Sequence, residues 1–152
     1  MVVAIEETLS LTSASLRNNN IELHLELGED VQIVGFANEF SQVLLNLLGN
    51  AKEAILTRHP QGGVVSLRLS HDTTHATLVV TDNGGGIPAA AMEHIFEPYF
   101  STKELGTGIG LYMSKMIIET SMHGSIRVRN VDAGAEFTLT CPLNLTEQKQ
   151  GG

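Results

Sequence analysis

The sequence predicts a two-layer α/β sandwich, with a mixed sheet and helices on one face. Three patterns predict it. Several segments of five to seven residues alternate apolar and polar side chains, as strands with one buried face do. Two stretches between them carry the wider apolar spacing of helices. Gly, Pro and Asn clusters separate the two kinds of segment, which places helices and strands in one layered unit. With 152 residues and 42% hydrophobic content, the chain is long enough for one domain with its own core.

The elements follow in order. Residues 2–17 read as a helix, ended by Asn18, Asn19 and Asn20. Ile21, Leu23, Leu25 and Leu27 mark a strand, and residues 31–34 a second, shorter one. Residues 37–57 form a long helix, stopped near Pro60 and the Gly62-Gly63 pair. Val65, Leu67 and Leu69, then Ala76, Leu78 and Val80, give two strands joined by a turn at residues 71–74. Residues 88–93 open on Pro88 as a short helix, and residues 108–122 form another. Residues 125–131 and 136–140 are the last strands, with a turn at Asp132, Ala133 and Gly134. The sum is about six strands and three longer helices. Residues 21–146 form the domain, and residues 1–20 an N-terminal helix that is a possible junction to a further segment. Residues 147–152 form a frayed polar tail.

Composition narrows the function. Nine basic against seventeen acidic residues leave a net charge of −8, which disfavours a nucleic-acid binder built on clustered Lys and Arg. A single cysteine, Cys141, excludes an internal disulfide. No apolar run approaches the roughly 18 residues of a membrane span, so no membrane contact is expected from this chain.

Four constellations carry chemistry. In the long helix, Asn46, Asn50 and Glu53 follow i, i+4, i+7 spacing and share one face amid leucines. Asn is a mediocre helix former, and its carbonyl oxygen is a hard neutral ligand suited to Mg²⁺. At a strand end, Asp82 and Asn83 run into Gly84, Gly85, Gly86, Ile87 and Pro88. One or two glycines suffice for a turn; three point to close approach of the backbone to something. A strand-end carboxylate can also accept a hydrogen bond from an exocyclic amine such as that of adenine. Gly106, Thr107, Gly108, Ile109, Gly110 and Leu111 open a helix, where backbone N–H groups and the helix dipole favour an anion. This run lacks the Lys-Ser/Thr ending of a P-loop and the strand–loop–helix setting of a dinucleotide fingerprint. Between the glycine groups, Phe96, Tyr99 and Phe100 are three of the seven aromatic residues, and Thr102 and Lys103 follow. Flanked by glycines, this stretch reads as a lid, with Lys103 within reach of a phosphate.

In order and spacing, these four segments resemble the catalytic, ATP-binding domain of two-component sensor histidine kinases, of the superfamily shared with DNA gyrase, a heat-shock chaperone and a mismatch-repair ATPase. Residues 42–54 resemble the N box and residues 82–88 the first glycine box. Residues 96–103 resemble the F box, and residues 106–111 the second glycine box. The terminal strands follow too, through His123-Gly124-Ser125-Ile126 and Gly134-Ala135-Glu136-Phe137. The resemblance implies a Bergerat-type fold with ATP and Mg²⁺ as cofactors. It implies that Asn50 binds Mg²⁺, with Asn46 beside it toward the phosphates. Asp82 would meet the adenine amine, and Gly84, Gly86 and Ile87 would pass under the base. Phe96 and Phe100 would pack the lid. Thr102, Lys103 and the backbone of residues 106–111 would hold the phosphates.

Two departures inform the reaction. Where hydrolysing members carry a Glu one turn before the Mg-binding Asn, this chain has Asn46, which takes no proton usefully. ATP is thereby kept for a nucleophile other than water. Glu53 is the nearest carboxylate on that face and a candidate polarising group. None of the six histidines has the neighbours of a phosphoacceptor. The expected activity is therefore transfer of the γ-phosphoryl group to a His on a separate dimerisation segment, with a response regulator receiver domain as the next partner. The rival readings are an anti-sigma-type serine kinase and a nucleotide-binding module without transfer. Ala135 replaces the Thr common after the last glycine of the terminal turn.

Overall fold

Five strands form one mixed sheet in the order β1-β2-β3-β5-β4. The computed structural model describes residues 2–58, 62–98, 110–131 and 133–144. The strands are β1 Ile21–Glu26, β2 Gly63–His71, β3 His75–Asp82, β4 Ser125–Val131 and β5 Gly134–Pro142. The helices are α1 Val2–Asn18, α2 Ala37–Arg58, α3 Ala89–Met92 and α4 Gly110–Met116. β1 and β2 pair parallel, in register Ile21↔Gly63 to Glu26↔Arg68, so α2 is the crossover between them. The other pairs are antiparallel.

The period-2 signal sets the buried face of the sheet. Val65, Leu67 and Leu69 of β2, Ala76, Leu78 and Val80 of β3, and Phe137, Leu139 and Cys141 of β5 all point into the core. Burial pushes the Cys141 thiol up to about 11, so it stays protonated and inert at neutral pH. The opposite face carries Ser66, Arg68, Thr77, Thr81, Thr138 and Thr140, partly or fully exposed. In the turn between β2 and β3, the Asp72 carboxylate accepts from the N–H groups of Thr74 and His75 at 2.8 and 2.7 Å.

The helices cover the apolar face. α2 buries Phe40, Val43, Leu44, Leu47, Leu48, Ala51 and Ile55, a stripe at three- and four-residue spacing. Burying such side chains stabilises by about 2 kcal/mol each. An interior Asn costs about 0.6 kcal/mol of helix propensity, so the stripe readily carries Asn46 and Asn50 on its flank. α1 packs on α2 with Ala4, Ile5, Leu9 and Leu16 in the same core. Its buried Thr8 hydroxyl donates to the Ala4 carbonyl at 2.8 Å, which removes the cost of an unpaired donor. Among the described residues, no helix is long and apolar enough to cross a membrane.

Two expected elements differ. Residues 31–34 form no strand, so the sheet has five strands rather than six. Only Ile33 makes a bridge, to Leu143. The segment runs antiparallel beside the chain that leaves β5, where Val34 N–H donates to the Pro142 carbonyl and Asn144 N–H to the Gln32 carbonyl. β5 ends at Pro142, so the pairing stops at one bridge and does not extend into a ladder. The last helix also changes pitch: α4 ends at Met116, and Ile117–Ser121 form a π turn. The wider turn brings Ile117, Ile118 and Met122 into the core. The tail 147–152 lies outside the described residues.

Candidate functional site

The site is assembled on α2. Its apolar stripe fixes the helix against the sheet, and that leaves Asn46 and Asn50 half-buried on the flank, with Glu53 exposed one turn further on. The Asn46 amide reaches across to α4. Its Nδ2 donates to the Gly110 carbonyl at 3.1 Å and to Ser114 Oγ at 3.2 Å. Its Oδ1 accepts from Gln42 Nε2 at 3.3 Å. Ser114 is fully buried, and its hydroxyl donates to the Gly110 carbonyl at 2.9 Å.

The end of β3 meets the other end of the same helix. A Cβ on Gly84 would lie 2.7 Å from the backbone of Ala54 and Ile55, so only glycine lets the strand end pack directly on α2. Asp82 sits two residues before, 7% exposed. Its Oδ1 accepts from Gly84 N–H at 2.8 Å and, more weakly, from Ala135 N–H at 3.4 Å. Burial outweighs these bonds and holds the carboxyl above its ordinary value. The Ala135 side chain is buried and has no hydroxyl to offer this carboxylate.

The chain after Gly84 is held by the end of β4 and by the turn that follows it. Asn130 Oδ1 accepts from Ile87 N–H at 2.8 Å, and Asn130 Nδ2 donates to the Ile87 carbonyl at 2.9 Å. Gly85 N–H donates to the Ala133 carbonyl at 2.8 Å. Gly86 has φ +81, and a Cβ there would meet Asn130 Oδ1 at 2.8 Å. The Arg58 guanidinium, at the end of α2, donates to the Gly85 carbonyl at 3.4 Å. On the far side, Phe96 packs edge-on against Phe137, with ring centroids 6.4 Å apart. Lys115 of α4 holds its ammonium 5.6 Å from the centre of the Phe96 ring.

The structure therefore brings Asn46 to Gly110, joins Asp82 to Gly84, and seats Gly86 and Ile87 on Asn130. Asn50 and Glu53 lie on α2 between these two meeting points. Leu111 follows Gly110 in α4, half-buried against the core. Phe100, Thr102, Lys103, Gly106, Thr107, Gly108 and Ile109 lie outside the described residues. Sequence reasoning missed Asn130, Ser114 and Arg58. None belongs to a glycine or asparagine cluster, and each acts only through the backbone or the amide that it meets across the fold.

Comparison with known proteins places this geometry in a family. Residues 35–145 match the family described as "Histidine kinase-, DNA gyrase B-, and HSP90-like ATPase". The sensor histidine kinase ZraS of Escherichia coli (strain K12) is 36% identical over 150 residues, covering 97% of this chain and 31% of that protein. The chain thus spans about a third of the length of the curated relatives that it matches. The catalytic domain of the histidine kinase ThkA superposes with a TM-score of 0.84 at 31% identity, covering 93% of this chain and 91% of that one. ThkA in complex with the response regulator protein TrrA superposes at 0.76 with 28% identity, over 93% of this chain and 40% of that one. The chain belongs to the histidine kinase-, DNA gyrase B- and HSP90-like ATPase family and, within it, to the catalytic domains of histidine kinases.

Proposed function

We propose that the chain binds ATP with Mg²⁺ and passes the γ-phosphoryl group to a histidine on helices outside it. One observation carries the reading. The half-buried amide face of α2 lies between a buried strand-end carboxylate, Asp82, and the first turn of α4, whose carbonyl Asn46 holds. Asp82 would accept from the adenine amine through the carboxylate that its backbone donors orient. Gly84, Gly86 and Ile87 would form the wall under the base. The amide oxygen of Asn50, a hard neutral donor one turn from Asn46, fits a cation that keeps its waters and takes the nucleotide phosphates as further ligands. When bound, Mg²⁺ would neutralise charge on the phosphates. Phe96, Phe100, Thr102, Lys103 and residues 106–111 complete the proposed nucleotide site.

The protein's own task is positioning. The attacking imidazole nitrogen uses its lone pair, so the N–P bond forms as the bond from the γ-phosphorus to the leaving ADP oxygen breaks. No water need be activated, in keeping with Asn46 rather than a carboxylate at that position. Residues 1–20 would join the domain to its phosphoacceptor helices, and a response regulator would receive the phosphoryl group next. Titration of the chain with ATP in Mg²⁺, followed by phosphoacceptor helices in trans, tests this. Binding in the micromolar to millimolar range and labelling of a His only after the helices are added is the expected result. No ATP binding at millimolar concentration overturns it.

A further inference from the structure

We infer that Ser114 is a positioning residue that fixes which end of the Asn46 amide faces the nucleotide site. A carbonyl oxygen only accepts, so the Asn46 atom 3.1 Å from the Gly110 carbonyl is the nitrogen. The Ser114 hydroxyl spends its one hydrogen on the same carbonyl at 2.9 Å, so toward Asn46 it offers a lone pair. Both amide hydrogens of Asn46 thus point at α4. Its oxygen is turned the other way, to the exposed Gln42. Ser114 is fully buried, so this arrangement is not exchanged with solvent. With its hydrogens spent on α4, the one group that position 46 has left for the proposed site is a lone pair of that oxygen. An acceptor suits a hydrogen-bearing species, such as water held on a cation, and opposes direct contact with a phosphate oxygen. The contact also spans 64 residues of sequence, so it ties the first turn of α4 to the amide face of α2. This rests on the proposal that the chain binds ATP with Mg²⁺.

The test uses the 152-residue chain as wild type, Asn46→Asp and Ser114→Ala. Each is titrated with ATP in Mg²⁺ and with ATP in EDTA, and its Tm is measured. Asn46→Asp is nearly isosteric but sets a carboxylate oxygen against the Gly110 carbonyl. It should lower Tm and weaken binding in Mg²⁺ by about tenfold, the loss expected for an unmade buried hydrogen bond. Ser114→Ala should leave binding in EDTA within about twofold and cut the gain from Mg²⁺ by about fivefold, on the same scale. Asn46→Asp that binds in Mg²⁺ as tightly as wild type overturns the inference. So does Ser114→Ala that loses the same factor in both buffers, and this second variant decides the matter if Asn46→Asp does not fold. Wild type that binds ATP in neither buffer overturns the proposed function itself, which separates the two failures.

Discussion

The two anchored ends of the site are held by different physics. The segment of Gly84 to Ile87 is fastened through its backbone, by Asp82, Arg58, the Ala133 carbonyl and an Asn130 amide that clasps it with both donor and acceptor. Its glycines leave no side chain to repack, and its supports are a strand end, a helix and a sheet turn. Gly110 and the start of α4 are instead held to α2 by one amide and one hydroxyl. Backbone-to-backbone seating tolerates no added atom. A side-chain latch can be weakened one hydrogen bond at a time. The wall proposed for the base should therefore fail abruptly where an atom is added at Gly84, and the side proposed for the phosphates in steps.

The sharpest way to break the rigid side is Gly84→Ala. The new methyl meets backbone atoms of Ala54 and Ile55 at 2.7 Å, which cannot rotate away. A loss of about 2–3 kcal/mol of stability is expected, measured by denaturant unfolding, together with loss of ATP binding. Asp82→Asn comes next and should separate binding from stability. It replaces the acceptor proposed for the adenine amine by a donor, and ATP affinity should fall about 30-fold in calorimetry. Stability should move the other way. A carboxyl held above its ordinary value makes folding most favourable where it is protonated, and that advantage is lost as pH rises through its folded value. Asp82→Asn should thus raise Tm by about 2 °C at pH 8, with the gain vanishing below the ordinary Asp range near pH 4. The smallest effect is expected at Asn130→Ala. It removes two hydrogen bonds, at 2.8 and 2.9 Å, from an exposed side chain, so ATP affinity should drop about fivefold. Asn130→Asp keeps the acceptor for Ile87 N–H and should fall between Ala and wild type. If Asn130→Ala binds as wild type does, Gly86 and Ile87 are held by the rest of the seat alone.

Much of this was legible before any coordinates. Alternation located β2 and β3 because one face of each is buried among helices, and period 2 is what that burial selects. The amide face of α2 was legible because two Asn among leucines conflict with local preference. The shared terminal strand pattern pointed to Ala135, which the fold sets beside Asp82. Residues 31–34 were misread because four apolar-leaning residues look alike whether they pair along a full strand or at a single bridge. Ser114 and Asn130 were invisible for a different reason. A serine in a helix and an asparagine near a strand end are ordinary, and only the long-range pairing, 68 and 43 residues away, gives them work.

The single parallel pair in the sheet has a mechanical consequence. Parallel neighbours oblige the chain to travel back along the whole sheet before it can pair again, and here α2 is that return journey. A helix strung between two adjacent strands is a beam held along its length by what it buries. It cannot roll without lifting Phe40, Leu44, Leu47 and Leu48 out of the core. The amides on its flank are thus carried by a member seated in the core, and a change in the reach or angle of the site comes more readily from the parts that lean against the beam.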